Sequence, residues 1–455
     1  MKEKIKDLYL PSLNSCTVAV IGIGYVGLPL AIHLVKKNQE SKRNIIFKRR
    51  IIGYDINQKR INELKNGFDN TNEIENKDLK LLNNIELTFE NKKLLEAEVF
   101  IVTVPTPIDK NNKPNLNPLQ SACMLIGGVL KKKKERNNDL ASIVIFESTV
   151  YPGTTEEICA EIIKKESGLE YNKDFYCGYS PERINPGDKS RKISNIVKVT
   201  SGSDKRSSIW VDKFYSSFIQ AGTHMTSNIK IAEAAKIIEN TQRDLNIALV
   251  NELSIIFKKM NVDTHEVLSA ASTKWNFLSF NPGLVGGHCI GVDPYYLTFK
   301  SEELGYTPKV ILSGRELNDN MANWVAQELI SKLEVIKNKN NKNILILGFT
   351  FKVNCPDIRN TQVTKLIRKI DRDKAEYNID IVDNLANKND VFNNYSINLS
   401  NEITLDKKYI AVIVAVAHDY IKEFVENKIE SVMDKDGLIF DLDGSVPRYL
   451  KPWRL

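Results

Sequence analysis

The chain has 455 residues, and at roughly 100–200 residues per domain that length excludes a single small binding module and points to about three domains. Hydrophobic residues at 42% and charged residues at 27% match ordinary globular usage and exclude bulk disorder and collagen-like repeats. Lys+Arg 64 against Asp+Glu 57 leaves only +7, and the clusters Lys42-Arg43, Lys48-Arg49-Arg50 and Lys131 to Lys134 have no aromatic interleaving, so they read as solvated faces and no nucleic-acid partner is expected.

Met1 to Leu10 alternates charged and apolar residues and lacks the apolar core of a signal peptide. Thr17 to Ile23 is a short β-branched run, and Leu28 to Lys37 follows with helical composition, giving strand, tight turn and helix. Further strands are expected at Ile51 to Tyr54, Val99 to Val104 and Ser142 to Phe146, and their spacing by helical stretches predicts an α/β fold with a parallel, doubly wound sheet. Asn228 to Met260 carries apolar residues at three- to four-residue spacing without Pro or Gly and predicts a long amphipathic helix, with Thr226 and Ser227 as caps. Such a helix is longer than one lobe needs and is expected to bridge domains or build a subunit interface. The uncharged stretch Trp275 to Val292 holds four glycines and is no membrane span. After Asn341 the strand pattern returns at Asn343 to Leu347, Ile379 to Val382, Tyr409 to Val416 and Leu438 to Phe440, predicting a second α/β domain, with Lys337 to Lys342 as the boundary loop. The six cysteines form no C-x-x-C pair, so neither a disulfide framework nor a metal site is expected, and a reduced, cytoplasmic setting is the natural one.

Gly22-Ile23-Gly24-Tyr25-Val26-Gly27 closes the first strand and opens the first helix, the context a dinucleotide-binding fingerprint requires. The first glycine permits the tight turn, the second allows backbone to approach a pyrophosphate, and the third lets helix and strand pack closely. Asp55 ends the next strand, where a carboxylate accepts both ribose hydroxyls, so NAD is favoured over its 2′-phosphorylated counterpart.

Other residues are ambiguous when taken alone. Cys289, in Gly286-Gly287-His288-Cys289-Ile290-Gly291-Val292-Asp293, fits either a buried small residue or a nucleophile. His288 is expected to point away from it, as neighbours do in extended chain, and to serve in packing or substrate contact. Lys236 and Asn240, at i and i+4, share a helix face and could hold an oxyanion and a water, or be ordinary surface residues. Glu147 and Glu182 follow apolar runs, where ligands bind in open α/β sheets; Glu182 could be a general base, Glu147 a buried structural carboxylate, and either a solvated loop residue.

The motifs G-I-G-Y-V-G-L-P-L-A, T-V-P-T-P, E-S-T-V-Y-P-G-T-T, S-P-E-R-I-N-P-G, A-E-A-A-K-I-I-E-N-T, G-G-H-C-I-G-V-D-P-Y-Y-L and G-F-T-F-K, in this order, make the whole chain resemble the UDP-glucose/GDP-mannose dehydrogenase family. The resemblance implies an enzyme that oxidises the C6 alcohol of a nucleotide sugar to a carboxylate in two NAD-dependent steps. It implies that Cys289 captures the intermediate aldehyde as a thiohemiacetal and carries the thioester formed next. Lys236 and Asn240 match the oxyanion- and water-holding pair, Asp293 a supporting carboxylate, Glu182 the general base and Thr149 a residue that positions water. Val104, Pro105, Thr106, Pro107, Thr149 and Arg359 would join Gly22, Gly24, Tyr25, Val26, Gly27 and Asp55 around NAD. The nucleotide sugar would meet Glu182, Arg183, Ile184, Asn185, Lys236, Asn240, Phe280, Gly283, Gly286, Phe351 and Lys352. The implied fold is two Rossmann-like domains joined by a central helical region: an NAD-binding domain over 1–205, a helical dimerisation domain over 206–330 and a UDP-sugar-binding domain over 331–455. Thr273 stands where some UDP-glucose dehydrogenases place an arginine, and the segment from Pro282 to Tyr296 looks more like the bacterial branch acting on UDP-N-acetylhexosamines. The expectation is therefore a homodimeric UDP-N-acetylglucosamine or UDP-N-acetylgalactosamine 6-dehydrogenase serving surface polysaccharides such as capsule or O-antigen. UDP-glucose and UDP-N-acetylmannosamine are the alternative substrates, and a one-step hydroxyacid dehydrogenase or a silent NAD-binding scaffold are the competing classes.

Overall fold

The computed structural model describes residues 9–39, 47–71, 73–135, 140–184, 193–336 and 340–455. The basic pair Lys42-Arg43 and residues 337–339 of the expected boundary loop fall outside that set. Contacts divide the chain into two compact units, Met1–Ile238 with Tyr295–Lys300, and Glu239–Pro294 with Ser301–Leu455.

In the first unit the chain runs β1 (Thr17–Ile21), α1 (Gly27–Gln39), β2 (Arg50–Tyr54), α2 (Gln58–Lys65), β3 (Ile85–Thr88), β4 (Val99–Val102), α3 (Asn117–Lys134), β5 (Ser142–Phe146), α4 (Glu161–Ser167), β6 (Phe175–Tyr179), β7 (Lys198–Gly202), α5 (Lys205–Ser216) and β8 (Thr223–Met225). The eight strands lie in the order β3-β2-β1-β4-β5-β6-β7-β8, parallel except where β6 meets β7. The β4, β5 and β6 strands are buried along their whole length, because helices cover both faces of a parallel sheet and leave no polar side for alternation to serve. Val18, Val20, Ile101 and Ile145 pack on the α1 and α5 side, while Ala19, Phe100, Val102 and Val144 pack on the α3 and α4 side. Each of the Val, Ile and Phe side chains contributes about 1.5–3 kcal/mol on leaving water.

The long helix forms as expected, as α6 (Ile229–Lys259), about 46 Å long at 1.5 Å per residue. Its cap differs from the expected pair: Asn228 Oδ1 accepts the N–H of Ile231 at 3.0 Å. Thr226 is already committed, its N–H to Thr200 O and its hydroxyl to Asn228 O, which leaves the capping position to the asparagine. The helix keeps Ile231, Ile238, Leu249 and Ile256 exposed, as is Met260 just after it.

The chain continues through α7 (Thr264–Ser272), α8 (Asp293–Glu303), α9 (Lys309–Val335), β9 (Asn343–Leu347), α10 (Val363–Asp373), β10 (Asn378–Val382), α11 (Lys388–Tyr395), β11 (Tyr409–Val414), α12 (Asp419–Val432), β12 (Met433–Asp441) and β13 (Trp453–Arg454). In the second unit β10-β9-β11-β12-β13 form an all-parallel sheet. Its core lies on both faces, Ile344, Ile346, Ala411 and Phe440 against α9 and α10, and Leu345, Leu347, Val412 and Val414 against α12. No described helix is long and apolar enough to cross a membrane.

Candidate active site

The glycine loop of the first unit has the shape its spacing demands. Gly22 takes φ +98°, donates its N–H to Tyr54 O at 2.8 Å, and its carbonyl accepts the Thr103 hydroxyl at 2.7 Å. A Cβ on Gly27 would lie 2.0 Å from Gly22 O and 2.5 Å from Thr103 Oγ1, whereas one on Gly24 would meet nothing within 4 Å. The third glycine is thus required by the protein's own packing, and the second faces space that a pyrophosphate can fill. Tyr25 and Val26, half-buried, follow it at the mouth of α1.

Asp55 stands beside this loop at the end of β2, its Oδ2 accepting the N–H of Ile23 at 3.0 Å and its Oδ1 that of Asn57 at 2.8 Å. Arg60, buried and bonded to Asp69, donates to Ile23 O at 2.9 Å and braces the turn from below. Ser148 donates to Val104 O at 2.6 Å, which brings the loop bearing Thr149 against the Val104-Pro105-Thr106-Pro107 segment, and Tyr296 donates to Pro107 O at 3.0 Å. The stretch after Thr149 hangs on Glu233 of α6, whose buried carboxylate accepts the N–H groups of Gly153 at 2.6 Å and Thr155 at 2.9 Å. The glycine loop, Asp55 and the proline loop therefore suit a dinucleotide.

Glu147 and Glu182 are not solvated. Lys198, the first residue of β7, reaches Glu147 Oε2 at 2.7 Å and Glu182 Oε2 at 3.2 Å, and Tyr215 donates to Glu147 Oε1 at 2.5 Å. Burial pushes the Glu147 carboxyl up, against the pull of Lys198. Glu182 Oε1 accepts the N–H groups of Arg183 at 2.6 Å and Ile184 at 2.7 Å, and Arg183 donates through Nη1 to Val197 O. Asn185 lies outside the described residues. On α6, Lys236 is buried, not a surface lysine.

In the second unit the cysteine loop is held at several points. Asn251 clamps Gly283 from both sides, accepting its N–H at 2.8 Å and donating to its carbonyl at 3.1 Å, and is itself bonded to Asn318. Gly286 and Gly287 pass over Phe351: Cβ atoms there would fall 3.0 Å from Phe351 Cβ and 2.7 Å from its ring, and Gly287 takes φ +85°. Phe280 and Lys352 are half-buried.

Cys289 alone of the six cysteines is not buried. The chain around it turns rather than extends, with Asp293 N donating to Cys289 O at 2.8 Å. The extended chain expected around His288 is not formed: a turn starts at Gly287, and His288 Nδ1 lies 3.6 Å from Asp357 Oδ2. Burial opposes a charge on His288, but Asp357 and the Cys289 sulfur outweigh it and push the imidazole up to about 9. Burial likewise opposes the Asp357 charge, yet His288 and Arg359 hold its carboxyl below the usual range. Arg359, expected at NAD, forms a fork on Asp357 and lies 2.9 Å from His288 Nδ1. Asn240 donates to Asp293 Oδ2 at 2.5 Å, so these two residues of the expected set meet directly.

Thr103, Arg60, Glu233, Lys198, Asn251 and Asp357 escaped the sequence reading. Thr103 and Glu233 lie within the quoted T-V-P-T-P and A-E-A-A-K-I-I-E-N-T motifs but carry no signal of their bonds there, and the other four lie outside the quoted motifs. Among the described residues no group of three or more His, Cys, Asp or Glu side chains could hold a metal ion.

The chain matches three consecutive parts of one family: the UDP-glucose/GDP-mannose dehydrogenase family's NAD binding domain over residues 16–219, its central domain over 230–320 and its UDP binding domain over 345–447. The chain belongs to the UDP-glucose/GDP-mannose dehydrogenase family. Among its relatives, UDP-N-acetyl-D-glucosamine 6-dehydrogenase of Pseudomonas aeruginosa is 49% identical over 94% of this chain and 97% of that protein. The enzyme of the same name from Salmonella typhi is 47% identical over 96% and 97%. The solved UDP-D-ManNAc dehydrogenase of Pyrococcus horikoshii superposes with a TM-score of 0.81 at 27% identity, covering 95% of this chain and 96% of that one. As a member of this family the chain is an NAD-dependent dehydrogenase, and its glycine loop and Asp55 lie within the matched NAD binding domain.

Proposed function

We propose that this member of the family is an NAD-dependent UDP-N-acetylglucosamine 6-dehydrogenase, which converts the C6 alcohol to the uronic acid in two oxidations. The observation that carries the reading is the 49% identity, over nearly the whole of both chains, to a UDP-N-acetyl-D-glucosamine 6-dehydrogenase. UDP-N-acetylmannosamine is the second reading, favoured by the fold neighbour of that name.

NAD, when bound, supplies the two-electron oxidant for each step. After the first oxidation the Cys289 thiolate adds to the C6 aldehyde, forming a carbon–sulfur bond and a thiohemiacetal. The second oxidation leaves a thioester, and water then adds, the carbon–sulfur bond breaks, and acid and thiol are released. Lys236 carries a cation to the alkoxide formed at C6, and Asn240, bonded to Asp293, holds water. Glu182 takes the proton of that water, and Thr149 helps position it. Gly22, Gly24, Tyr25, Val26, Gly27, Asp55, Val104 to Pro107, Thr149 and Arg359 are assigned to NAD. The assignment of Arg359 rests on the resemblance alone. Arg183, Ile184, Asn185, Phe280, Gly283, Gly286, Phe351 and Lys352 are assigned to the UDP-sugar. The contact of Gly286 and Gly287 with Phe351 supports grouping those residues.

The same reading divides the chain at 205 and 330 and takes the enzyme as a cytoplasmic homodimer that supplies surface polysaccharide, with the exposed apolar residues of α6 in support of the dimer. The test is NADH release by purified protein across UDP-sugars. Two NADH per UDP-N-acetylglucosamine are expected, and turnover of UDP-glucose alone would overturn the specificity.

A further inference from the structure

The Glu147, Lys198 and Glu182 cluster has a composition that plain charge neutralisation does not require. Two carboxylates share a single ammonium, and the three side chains are 0%, 3% and 10% exposed. An isolated buried lysine would be satisfied by one carboxylate, and removing charge from water twice over is expensive unless each group has a task. Glu147 has every oxygen occupied, by Lys198 on one side and the Tyr215 hydroxyl on the other, and is fully buried, so it has no free edge for a ligand. Glu182 differs: Oε1 is fixed by two backbone N–H groups, and among the described residues Oε2 meets only the Lys198 ammonium, at the longer distance of 3.2 Å. A carboxylate oxygen has room for a second partner beside such a contact.

The sheet explains how a lysine comes to be there. Residues 147 and 182 follow β5 and β6 at the carboxyl edge of the parallel strands, whereas β7 runs antiparallel to β6, pairing Tyr179 with Ser201. The reversal returns the start of β7, and with it Lys198, to that same edge. Burial works against the Lys198 charge, but Glu147 and Glu182 outweigh it, and the ammonium also lies 5.3 Å from the centre of the Tyr215 ring. It is therefore a fixed cation on a rigid strand, held from behind by Glu147.

The geometry points to Lys198, anchored by Glu147, as the positioning residue that sets the Glu182 carboxylate for the general-base step assigned to it. Lys198 contacts neither substrate nor cofactor in this role. It fixes the rotamer of Glu182 by holding Oε2 while the Arg183 and Ile184 N–H groups hold Oε1, so that the remaining lone pair of Oε2 has one direction in which to accept a proton from water. This inference rests on the reading of Glu182 as general base. No new reactant is needed: water supplies oxygen and proton, and the thiolate leaves as in the proposed sequence.

The test uses the full-length enzyme with NAD and UDP-N-acetylglucosamine, and compares Lys198→Met, Lys198→Arg, the charge-balanced pair Glu147→Gln with Lys198→Met, and Glu182→Gln. Readouts are kcat, KM for both ligands, and acyl-enzyme on Cys289 by intact mass after acid quench. Lys198→Met is expected to lower kcat by about 10- to 100-fold, part of what a general base contributes. Both KM values should stay within about two-fold of wild type while acyl-enzyme accumulates, and Lys198→Arg should restore most of kcat. Should Lys198→Met fail to fold, the charge-balanced pair is expected to give the same pattern. The inference is overturned if Glu182→Gln accumulates acyl-enzyme while a folded Lys198 variant turns over as wild type, or if kcat falls without acyl-enzyme. Full turnover by Glu182→Gln would instead overturn the reading of Glu182 itself.

Discussion

Substituting alanine at Gly27 and at Gly24 separates two reasons for having glycine in one loop. A methyl at position 27 would sit 2.0 Å from Gly22 O, about an ångström inside the closest tolerable contact. Gly22 cannot yield cheaply, since its N–H is bonded to Tyr54 O and its carbonyl to the Thr103 hydroxyl. Forced overpacking of this kind costs about 1–3 kcal/mol, and losing the Thr103 bond adds about 1 kcal/mol. A total of about 2–4 kcal/mol should lower Tm by roughly 4–16 °C for a unit of this size, with NAD weakened as well because the loop itself moves. Gly24→Ala meets nothing within 4 Å and should leave the Tm of the free protein within about 1 °C. Its methyl points into the space assigned to the pyrophosphate, so NAD affinity should fall by at least about ten-fold, roughly 1.4 kcal/mol. Scanning calorimetry without ligand and titration with NAD read the two effects independently. A Gly24→Ala protein that binds NAD as wild type would refute the placement of the pyrophosphate, and an unchanged Tm for Gly27→Ala would refute the packing argument.

Cys289→Ser should reduce formation of the acid by roughly 100-fold or more, because a serine hydroxyl is neither as ready a nucleophile nor as good a leaving group; chromatography of the product decides, and undiminished acid would exclude covalent capture. Asp357→Asn should destabilise most between about pH 4 and 6.5: the Asp357 charge is lost below that range, and the folded His288 imidazole lies at about 9, above its ordinary 6.5, so its contribution fades as pH rises through 9. The Tm gap between wild type and Asp357→Asn should shrink as pH rises from 6.5 through about 9, and a gap that is constant or grows would show that His288 is not the group concerned. Asn251→Ala removes both bonds to the Gly283 peptide and the one to Asn318, at about 2–4 kcal/mol; urea unfolding measures it, and a change below about 0.5 kcal/mol would mean the loop holds itself.

The elements most legible in the sequence were those whose apolar composition stops where hydrogen bonding stops. Ser142 to Phe146 and Asn343 to Leu347 form strands over the expected residues, because polar or turn-forming residues follow each run. The runs at Thr17 to Ile23, Val99 to Val104 and Tyr409 to Val416 overshoot by two residues. There the chain leaves the ladder while still apolar, since Ile23 and Val416 serve the turns that follow the strands rather than the strands themselves. The β7 strand went unread because Lys-Val-Thr-Ser-Gly carries neither an apolar run nor clean alternation, although all five residues are buried. Its pairing is set by β6, and no local window contains that information.

The site divides along the same line. Gly22, Gly24, Gly27 and Asp55 were readable because each answers a local demand, a positive φ, an open approach, a close contact or a strand end. Glu147 and Glu182 stayed ambiguous because their state depends on Lys198, 51 and 16 residues further along, brought back only by the antiparallel turn of the sheet. For His288 the premise of extended chain does not hold. The rule that neighbours diverge holds for extended chain, and Gly287 at φ +85° ends the extension one residue before it matters. The same glycine lies so close to the Phe351 ring that a Cβ would come within 2.7 Å of it, so one residue both seats the loop against Phe351 and ends the extended chain before His288. The second glycine in the G-G-H-C motif therefore acts as a conformational requirement for the turn that carries His288 and Cys289, and their placement is as much a product of backbone geometry as of side-chain chemistry.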